Sequence, residues 1–210
     1  MSDEKIDLLI DGPENAARSF VFAHGAGGAM DSSFMTRVAQ GMAARGIRVI
    51  RFEFDYMAAR RRGGKRGAPD RQPQLLDTWR RVVGEVGNAS SLMIGGKSMG
   101  GRMATMVADE LGVRGLICFG YPFHPPGDPN RLRVSHLEHL RTATLILQGT
   151  RDLFGTREQV SDYDLSPAIR LEWLEDGDHS FKPRRSSGVT EQQHVDQAIK
   201  LAAAFVESTE

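Results

Sequence analysis

The sequence of 210 residues predicts an α/β fold in which a mostly parallel β-sheet carries helices on both faces. Two observations lead to this prediction. Short apolar runs recur along the chain, and several are continuously apolar, as expected for strands that are buried on both faces. Segments with the apolar spacing of amphipathic helices lie between these runs, an alternation typical of parallel sheets. We expect a single domain over residues 1–210.

Seven apolar runs are predicted to form strands, and five segments are predicted to form helices. The predicted strands are Ile6–Ile10, Ser19–Ala23, Ile47–Phe54, Leu92–Ile94, Leu116–Phe119, Ala143–Leu147 and Ile169–Leu174. The predicted helices are Met35–Ala44, Gln74–Val86, Arg102–Leu111, Ser135–Leu140 and Gln192–Val206. Asp31 or Ser32 is placed to cap the first of these helices, and Gly112 is placed to end the third.

A balanced charge and a single cysteine narrow the class of protein. Lys plus Arg and Asp plus Glu each number 27, so a generally basic nucleic-acid binder is not indicated. No apolar run reaches the ~18 residues that cross a bilayer, and the N-terminus lacks the pattern of a signal peptide. Cys118 has no second cysteine to pair with, which favours a reducing compartment. We therefore expect a cytoplasmic protein that binds neither nucleic acid nor membrane.

One basic segment interrupts the alternation of strands and helices. Residues Arg60–Arg71 read R-R-R-G-G-K-R-G-A-P-D-R, and their charge, Gly and Pro predict an exposed loop. A solvated surface loop is the simpler interpretation of such a run. Capture of an anionic substrate or of an acidic partner is the alternative.

The stretch Ser90–Met103, S-S-L-M-I-G-G-K-S-M-G-G-R-M, predicts a strand, a sharp turn and then a helix. Ser98 lies in the turn within a G-x-S-x-G pattern, which presents a nucleophilic serine above a sheet. Gly96 and Gly100 stand two residues to either side, where so tight a turn leaves no room for a Cβ. Ser98 is therefore the candidate nucleophile.

A nucleophilic serine needs a base to accept its proton and an acid to orient that base. Asp152 follows the predicted strand Ala143–Leu147, at the carboxyl end where open α/β sheets place functional loops. We assign Asp152 as the acid on this position. The alternatives are the later acids Asp162, Asp164, Asp176 and Asp178.

His179 is the candidate base. Of the six histidines, it is the one that comes after both Ser98 and Asp152 and directly follows a predicted strand. The order Ser, Asp, His along the chain is the order expected for this arrangement. His194 also follows the two residues, but it lies on a predicted helix and is interpreted as a surface residue.

Backbone amides are the candidate donors to an oxyanion. The Gly-rich run H-G-A-G-G-A at His24–Ala29 follows an early predicted strand and would supply one amide, while the residue after the nucleophile would supply the other. We assign the amides of Ala26 and Met99 to this role. His24 is expected to shape the loop through a side-chain hydrogen bond.

Five motifs, H-G-A-G-G, G-G-K-S-M-G-G-R, G-L-I-C-F-G-Y-P-F-H-P-P, L-Q-G-T-R-D and D-G-D-H-S, resemble the α/β-hydrolase superfamily. More narrowly, they resemble its small dienelactone-hydrolase-like branch, which includes bacterial predicted hydrolases and the animal testis-expressed hydrolase-like proteins. The resemblance implies the same triad of Ser98, Asp152 and His179 and the same two amides, with no metal and no organic cofactor. Dienelactone hydrolases proper use a cysteine nucleophile, whereas this chain has serine and its Cys118 is predicted to lie in the core.

Members of this superfamily with a cap insert it after the strand corresponding to Leu116–Phe119. Here only Tyr121–Arg141 follows before the next strand, so we expect no cap domain and an open, shallow site. The candidate pocket residues are His24, Gly25, Lys97, Tyr121, Phe123 and His124. Solvent exposure is the alternative for Lys97, a structural role for His124, and packing for Tyr121 and Phe123.

The leading hypothesis is a serine hydrolase that cleaves a small ester or thioester through an acyl-enzyme on Ser98. The alternative is a non-catalytic interaction or scaffold protein that retains the hydrolase fold, suggested by a relative in a chromatin-modifying complex and by the basic segment. A peptidase, which needs a deeper cleft, is a weaker third option.

Overall fold

Seven strands form one sheet in the computed structural model, which describes residues 6–65 and 67–209. The strands are β1 (Leu8–Asp11), β2 (Ser19–Ala23), β3 (Arg48–Phe52), β4 (Leu92–Lys97), β5 (Gly115–Phe119), β6 (Thr144–Gly149) and β7 (Ile169–Leu174). Their order across the sheet is β1-β3-β2-β4-β5-β6-β7. Only β1 runs antiparallel to its neighbour, so the prediction of a mostly parallel sheet is confirmed.

Seven α-helices connect or flank the strands within the described residues. They are α1 (Ser33–Ala43), α2 (Asp55–Arg61), α3 (Gln72–Val86), α4 (Met99–Thr105), α5 (Ala108–Leu111), α6 (Arg157–Val160) and α7 (Glu191–Ser208). Ser32 occupies the N-cap position of α1, although its side chain makes no capping hydrogen bond. Gly112 ends α5 in the left-handed conformation that favours glycine.

The sheet separates two apolar cores, and the alternation of side chains along a strand feeds both of them. In β2, Phe20 and Phe22 belong to the core that includes α1 and α7. Val21 and Ala23 belong to the opposite core, which includes α3, α4 and α5. Helices therefore cover both faces, as predicted, and β4 and β5 are buried almost throughout.

Three predicted elements differ from the structure. The predicted helix Arg102–Leu111 is instead two helices, because the Thr105 hydroxyl donates to the Arg102 carbonyl and the next amides bond three residues back rather than four. The predicted helix Ser135–Leu140 is a series of turns, and the carbonyls of Leu137 and Leu140 accept hydrogen bonds from Ser166 instead. The predicted loop Arg60–Arg71 begins with the last turn of α2, and Arg66 within it lies outside the described residues.

In the part of the chain that the structure describes, no cap domain covers the carboxyl ends of the strands. Residues 120–143, between β5 and β6, contain turns and bends but no helix, which confirms the prediction of an α/β-hydrolase fold without a cap domain. Among residues 6–65 and 67–209, no helix combines the length and the apolar character needed to span a bilayer. That residues 1–210 form a single domain stays a prediction.

Trp79 is predicted to contribute more to stability than Trp173. Trp79 of α3 is fully buried, packs edge-on against Phe52 and donates its indole N–H to the Gly100 carbonyl at 3.3 Å. Trp173 is half-buried on the edge strand β7. Trp79→Ala should lower the free energy of unfolding by about 3–5 kcal/mol, because it leaves a large cavity. Urea denaturation followed by circular dichroism measures the change.

Trp173→Ala is the matched control, since it removes the same side chain from a half-buried position. It should shift the urea midpoint by less than half as much as Trp79→Ala. Equal shifts for the two variants would contradict the importance assigned to the core between the sheet and α3.

Candidate active site

Ser98 lies on a strained turn between β4 and α4, with φ 51° and ψ −115°. Its amide donates to the Phe119 carbonyl of the neighbouring strand, which holds the turn against the sheet. A Cβ at Gly96 would lie 2.6 Å from the Ala23 carbonyl oxygen, and one at Gly100 would lie 2.5 Å from the His24 carbonyl oxygen. Only glycine therefore fits at both positions, as the sequence predicted. A strained non-glycine residue of this kind costs ~1–3 kcal/mol and is typical of active sites.

Three side chains that are distant in sequence form one chain of hydrogen bonds. His179 Nε2 lies 2.8 Å from Ser98 Oγ, and His179 Nδ1 lies 2.7 Å from Asp152 Oδ2. The Asp152 carboxylate can only accept a hydrogen bond, so Nδ1 carries the proton of a neutral imidazole. Nε2 is then an acceptor that faces the Ser98 hydroxyl. This tautomer is the one that a general base needs.

Asp152 is fully buried, and its carboxylate oxygens accept hydrogen bonds from three protein groups. Oδ1 accepts from the Phe154 amide at 2.8 Å, and Oδ2 accepts from His179 and from Gln148 Nε2 at 2.9 Å. The Gln148 amide is itself held by the Tyr121 backbone and the Gly155 carbonyl. Gln148 thus fixes the orientation of the acid.

Sequence reasoning missed Gln148, although a signal was present. It is a polar residue at the end of an otherwise apolar run, Thr144–Gly149, and it is fully buried. Buried polar side chains are almost always hydrogen-bonded to something. Such a residue four positions before a candidate acid is therefore a candidate for positioning that acid.

The four alternative acids lie elsewhere. Asp178 Oδ1 accepts hydrogen bonds from the Ser180 and Lys182 amides and so stabilises its own turn. Asp176 pairs with Arg151 and Arg184, and Asp162 and Asp164 are exposed. None of them has a hydrogen bond to the His179 ring.

The interpretation of His194 as a surface residue was wrong. Its side chain is buried, and Nδ1 lies 2.8 Å from the Phe181 carbonyl oxygen. The helical spacing of α7 does place it on a helix, but on the face that packs against the loop carrying His179. His194 supports that loop and does not reach Ser98.

Burial lowers the pKa of His179 below 6.5, and the charge of Lys97 lowers it further, although the hydrogen bond to Asp152 opposes both effects. Lys97 is half-buried, and its ammonium donates to the His179 carbonyl oxygen at 2.7 Å. Burial lowers the pKa of Lys97 itself to about 8. His179 is therefore neutral, and able to accept a proton, at physiological pH.

The two backbone amides assigned to the oxyanion lie beside Ser98, and no described residue accepts a hydrogen bond from them. Neither the Ala26 nor the Met99 amide donates a hydrogen bond to another described residue. The loop that carries Ala26 is fixed by His24, whose Nδ1 donates to the Gly25 carbonyl at 2.7 Å and whose Nε2 accepts from the Phe54 amide at 3.1 Å. The Tyr56 hydroxyl also donates to the Ala26 carbonyl at 3.0 Å.

Two open clefts meet at Ser98, and they share Ala26 and Phe154 as well. The His179 cleft has a volume of about 480 Å³, and its walls include Gly25, Phe34, Lys97, His179 and Glu191. The Met99 cleft has a volume of about 380 Å³, and its walls include Gln72, Leu75, Met99, Arg102, Met103, Pro122 and Arg133. A substrate with groups on both sides of its scissile bond could therefore place one group in each cleft.

Only two of the six predicted pocket residues line these clefts, namely Gly25 and Lys97. Lys97 is turned inward to His179 and is not exposed to solvent as the alternative supposed. The other four predictions, His24, Tyr121, Phe123 and His124, are wrong, because all four side chains are buried. The rings of Tyr121 and Phe123 pack against each other in the core, with their planes tilted by 57°.

His124 and Cys118 also have structural positions. His124 contacts the Pro125 carbonyl at 2.8 Å and Gln159 at 3.2 Å, which fixes the turn after β5. Cys118 is fully buried in β5, as predicted, and burial raises the pKa of its thiol to about 12. It is therefore not a second nucleophile. The residues that line the clefts and were missed include Phe154, whose ring lies 4.2 Å from the His179 ring.

Comparison with known proteins places the chain in a family. A family described as an alpha/beta hydrolase domain matches residues 16–207, and the chain belongs to it. Solved structures include an alpha-beta serine hydrolase homologue from Coxiella burnetii, 20% identical with a TM-score of 0.69 over 94% of this chain and 89% of the other. A lid-free serine hydrolase from Xanthomonas campestris is 22% identical, with a TM-score of 0.69 over 98% and 91%. A monoacylglycerol lipase from Paleococcus ferrophilus is 12% identical, with a TM-score of 0.72 over 96% and 99%. These likenesses show a shared fold.

The His179 imidazole is predicted to titrate below pH 6.5, because burial and the Lys97 charge disfavour its protonated form. Lys97→Met removes the positive charge and should raise this pKa. Nuclear magnetic resonance of the histidine ring protons over pH 4–9 measures both values.

Lys200→Met is the matched control, since it removes an exposed ammonium from α7. It should leave the titration of His179 unchanged. A pKa of His179 above 6.5 in the wild type, or the same shift in both lysine variants, would contradict the electrostatics described here.

Proposed function

We propose that this member of the alpha/beta hydrolase family is a serine hydrolase that cleaves a small ester or thioester. The observation that carries the proposal is the continuous hydrogen-bonded chain from Ser98 through His179 to Asp152, at 2.8 and 2.7 Å. Each member comes from a loop after a different strand, in the order expected for this fold. Loops without a catalytic role would not need to bring a serine, a histidine and an aspartate into one chain of hydrogen bonds.

In the first half of the proposed reaction, the Ser98 oxygen attacks the carbonyl carbon of the substrate while His179 Nε2 accepts the hydroxyl proton. The resulting imidazolium is stabilised by Asp152 through Nδ1. The oxyanion is positioned to receive hydrogen bonds from the Ala26 and Met99 amides, neither of which has a partner among the described residues. His179 then gives its proton to the leaving alkoxide or thiolate, and the acyl group remains on Ser98.

In the second half, water takes the place of the leaving group. His179 Nε2 accepts a proton from this water as its oxygen attacks the acyl carbon. Collapse of the second tetrahedral intermediate breaks the bond to Ser98, and His179 returns the proton to the Ser98 oxygen. The products are a carboxylic acid and the alcohol or thiol, and the protein is regenerated.

The open site favours small esters and thioesters over peptides. Both clefts open directly to solvent beside Ser98, and within residues 120–143 no helix deepens them. The narrower assignment to a dienelactone-hydrolase-like branch stays a prediction, as does a cytoplasmic location. Serine at position 98 and the buried Cys118 argue against dienelactone cleavage itself.

The scaffold alternative is less well supported by the contacts of the basic segment. Two arginines of the basic segment already have intramolecular partners: Arg61 pairs with Glu53 and Asp31, and Arg60 donates to the Gly67 carbonyl and lies over the Tyr56 ring. A strained serine would also be a needless cost in a scaffold that does no chemistry.

Ser98 is predicted to be the residue that reacts with a fluorophosphonate probe, because His179 activates its hydroxyl and the site is open. Intact-mass and peptide-mass spectrometry of labelled protein locate the adduct. Ser98→Ala should abolish labelling, while Ser180→Ala, which removes an exposed hydroxyl beside His179, should retain it. Labelling of Ser98→Ala to the wild-type extent would contradict the proposal.

Asp152→Asn is predicted to lower kcat for p-nitrophenyl acetate by about 10³–10⁴-fold, because the amide cannot hold the required imidazole tautomer. Gln148→Met should cause a smaller loss, because it removes only one of the donors that orient the Asp152 carboxylate. Steady-state kinetics between pH 5 and 9 on both variants measure these effects. Wild-type kcat in Asp152→Asn would exclude the assigned role of the acid.

A further inference from the structure

We propose that the Met99 cleft binds an anionic oxygen group of the substrate, a carboxylate or a phosphate, through Arg102 and Arg133. The inference rests on the proposed function and specifies the substrate class: an ester or thioester with a negative charge on one of its two arms. The two arginines line the cleft together with Ser98, so an anion bound to them belongs to the same molecule as the scissile bond.

No acid among the described residues neutralises either guanidinium. Arg102 Nη2 donates to the neutral Gln72 Oε1 at 3.0 Å, and its buried Nε has no hydrogen-bond partner. Within residues 6–65 and 67–209, the Arg133 side chain has no hydrogen bond and neither arginine forms an ion pair with a carboxylate. Elsewhere, arginines such as Arg51 and Arg61 are paired with acids, at 2.7 and 2.8 Å.

The guanidinium groups of Arg102 and Arg133 also repel each other, and Arg131 repels both. Burial lowers the pKa of both Arg102 and Arg133, Arg131 lowers both further, and Arg102 also lowers the pKa of Arg133. Arranging like charges together on a half-buried surface is unfavourable unless a counter-charge binds. A planar carboxylate or a phosphate can accept two hydrogen bonds from one guanidinium, so it is the ligand that such a site suits.

The other ionisable groups around the cleft leave it a net positive charge. Asp70 also lines the cleft and offsets one of the two positive charges, but its Oδ2 accepts from the Tyr56 amide at 2.9 Å and it forms no ion pair with either arginine. His136 is held beside Tyr121 and Thr105 and adds no positive charge, because burial and Arg102 lower its pKa to about 4.

The His179 cleft does not have the positive charge of the Met99 cleft. In the His179 cleft, the Lys97 ammonium is occupied by the His179 carbonyl, and Glu191 adds a negative charge. The charge difference between the clefts therefore orients the substrate, with its anionic arm toward Arg102 and Arg133. The Met99 cleft also has apolar walls, so the spacer between the ester and the anion is expected to be aliphatic or aromatic. These walls are Leu75, Met103, Pro122 and Phe154.

The test compares kcat/KM for matched anionic and neutral substrates. One pair places the charge on the acyl arm, as mono-p-nitrophenyl glutarate against its methyl ester. The other places it on the alcohol arm, as 4-acetoxybenzoate against 4-acetoxybenzamide. We expect wild-type protein to prefer the anionic member of one pair by at least about 10-fold, and Arg102→Gln or Arg133→Gln to reduce that preference about 10-fold.

Arg185→Gln is the matched control, because it removes an exposed guanidinium that lines neither cleft. Arg102→Lys tests the need for a planar fork, and circular dichroism verifies that each variant is folded. A ratio near one in both substrate pairs, or a preference that survives in both Gln variants, overturns the inference while hydrolysis of the neutral esters leaves the proposed function standing.

A binding measurement separates the two hypotheses if no ester is cleaved. Isothermal calorimetry with glutarate and with inorganic phosphate is carried out on Ser98→Ala, and on the same protein with Arg133→Gln added. Binding of either anion that weakens about 10-fold with Arg133→Gln supports the anion site, and the tighter ligand identifies its chemistry. Absence of binding by both anions overturns it, whatever the outcome for hydrolysis.

Discussion

A carboxylate removed from solvent needs a full set of hydrogen bonds, and the site depends on how the fold meets this requirement for Asp152. The carboxylate is fully buried and accepts from a backbone amide, from Gln148 and from His179. The first two bonds come from residues at the end of β6 and the loop after it, so the carboxylate has one orientation. His179 supplies the third bond, which sets its ring and its tautomer and leaves Nε2 facing Ser98.

The serine depends on a different constraint, the close approach of backbones at the end of β4. Gly96 and Gly100 allow the chain to pass within contact distance of Ala23 and His24, and the Ser98 amide is held by Phe119 of the next strand. The nucleophile is therefore held by the sheet and the acid by the loop after β6, and the imidazole joins the two. Lys97 holds the backbone of the loop that carries the imidazole, and its charge adds to the effect of burial in lowering the pKa of that imidazole.

The sequence was sufficient for features that depend on chain order and insufficient for those that depend on side-chain direction. Ser98, Asp152 and His179 follow β4, β6 and β7 in turn, and the ends of parallel strands meet at one edge, so their encounter could be predicted. The directions of Tyr121, Phe123, His124 and His194 are set by packing around them, and all four are buried. Gln148 and the pair Arg102 and Arg133 gain their meaning only from neighbours that are distant in sequence.

The most direct test of the account is to look for the covalent intermediate. Wild-type protein would be mixed with excess p-nitrophenyl acetate, quenched in acid within milliseconds to seconds, digested and mapped by mass spectrometry. The account predicts an acetyl group on Ser98 that forms with the burst of p-nitrophenol and disappears as substrate is exhausted. Turnover with no acyl group on Ser98 at any time, in wild type and in Asp152→Asn alike, would contradict it.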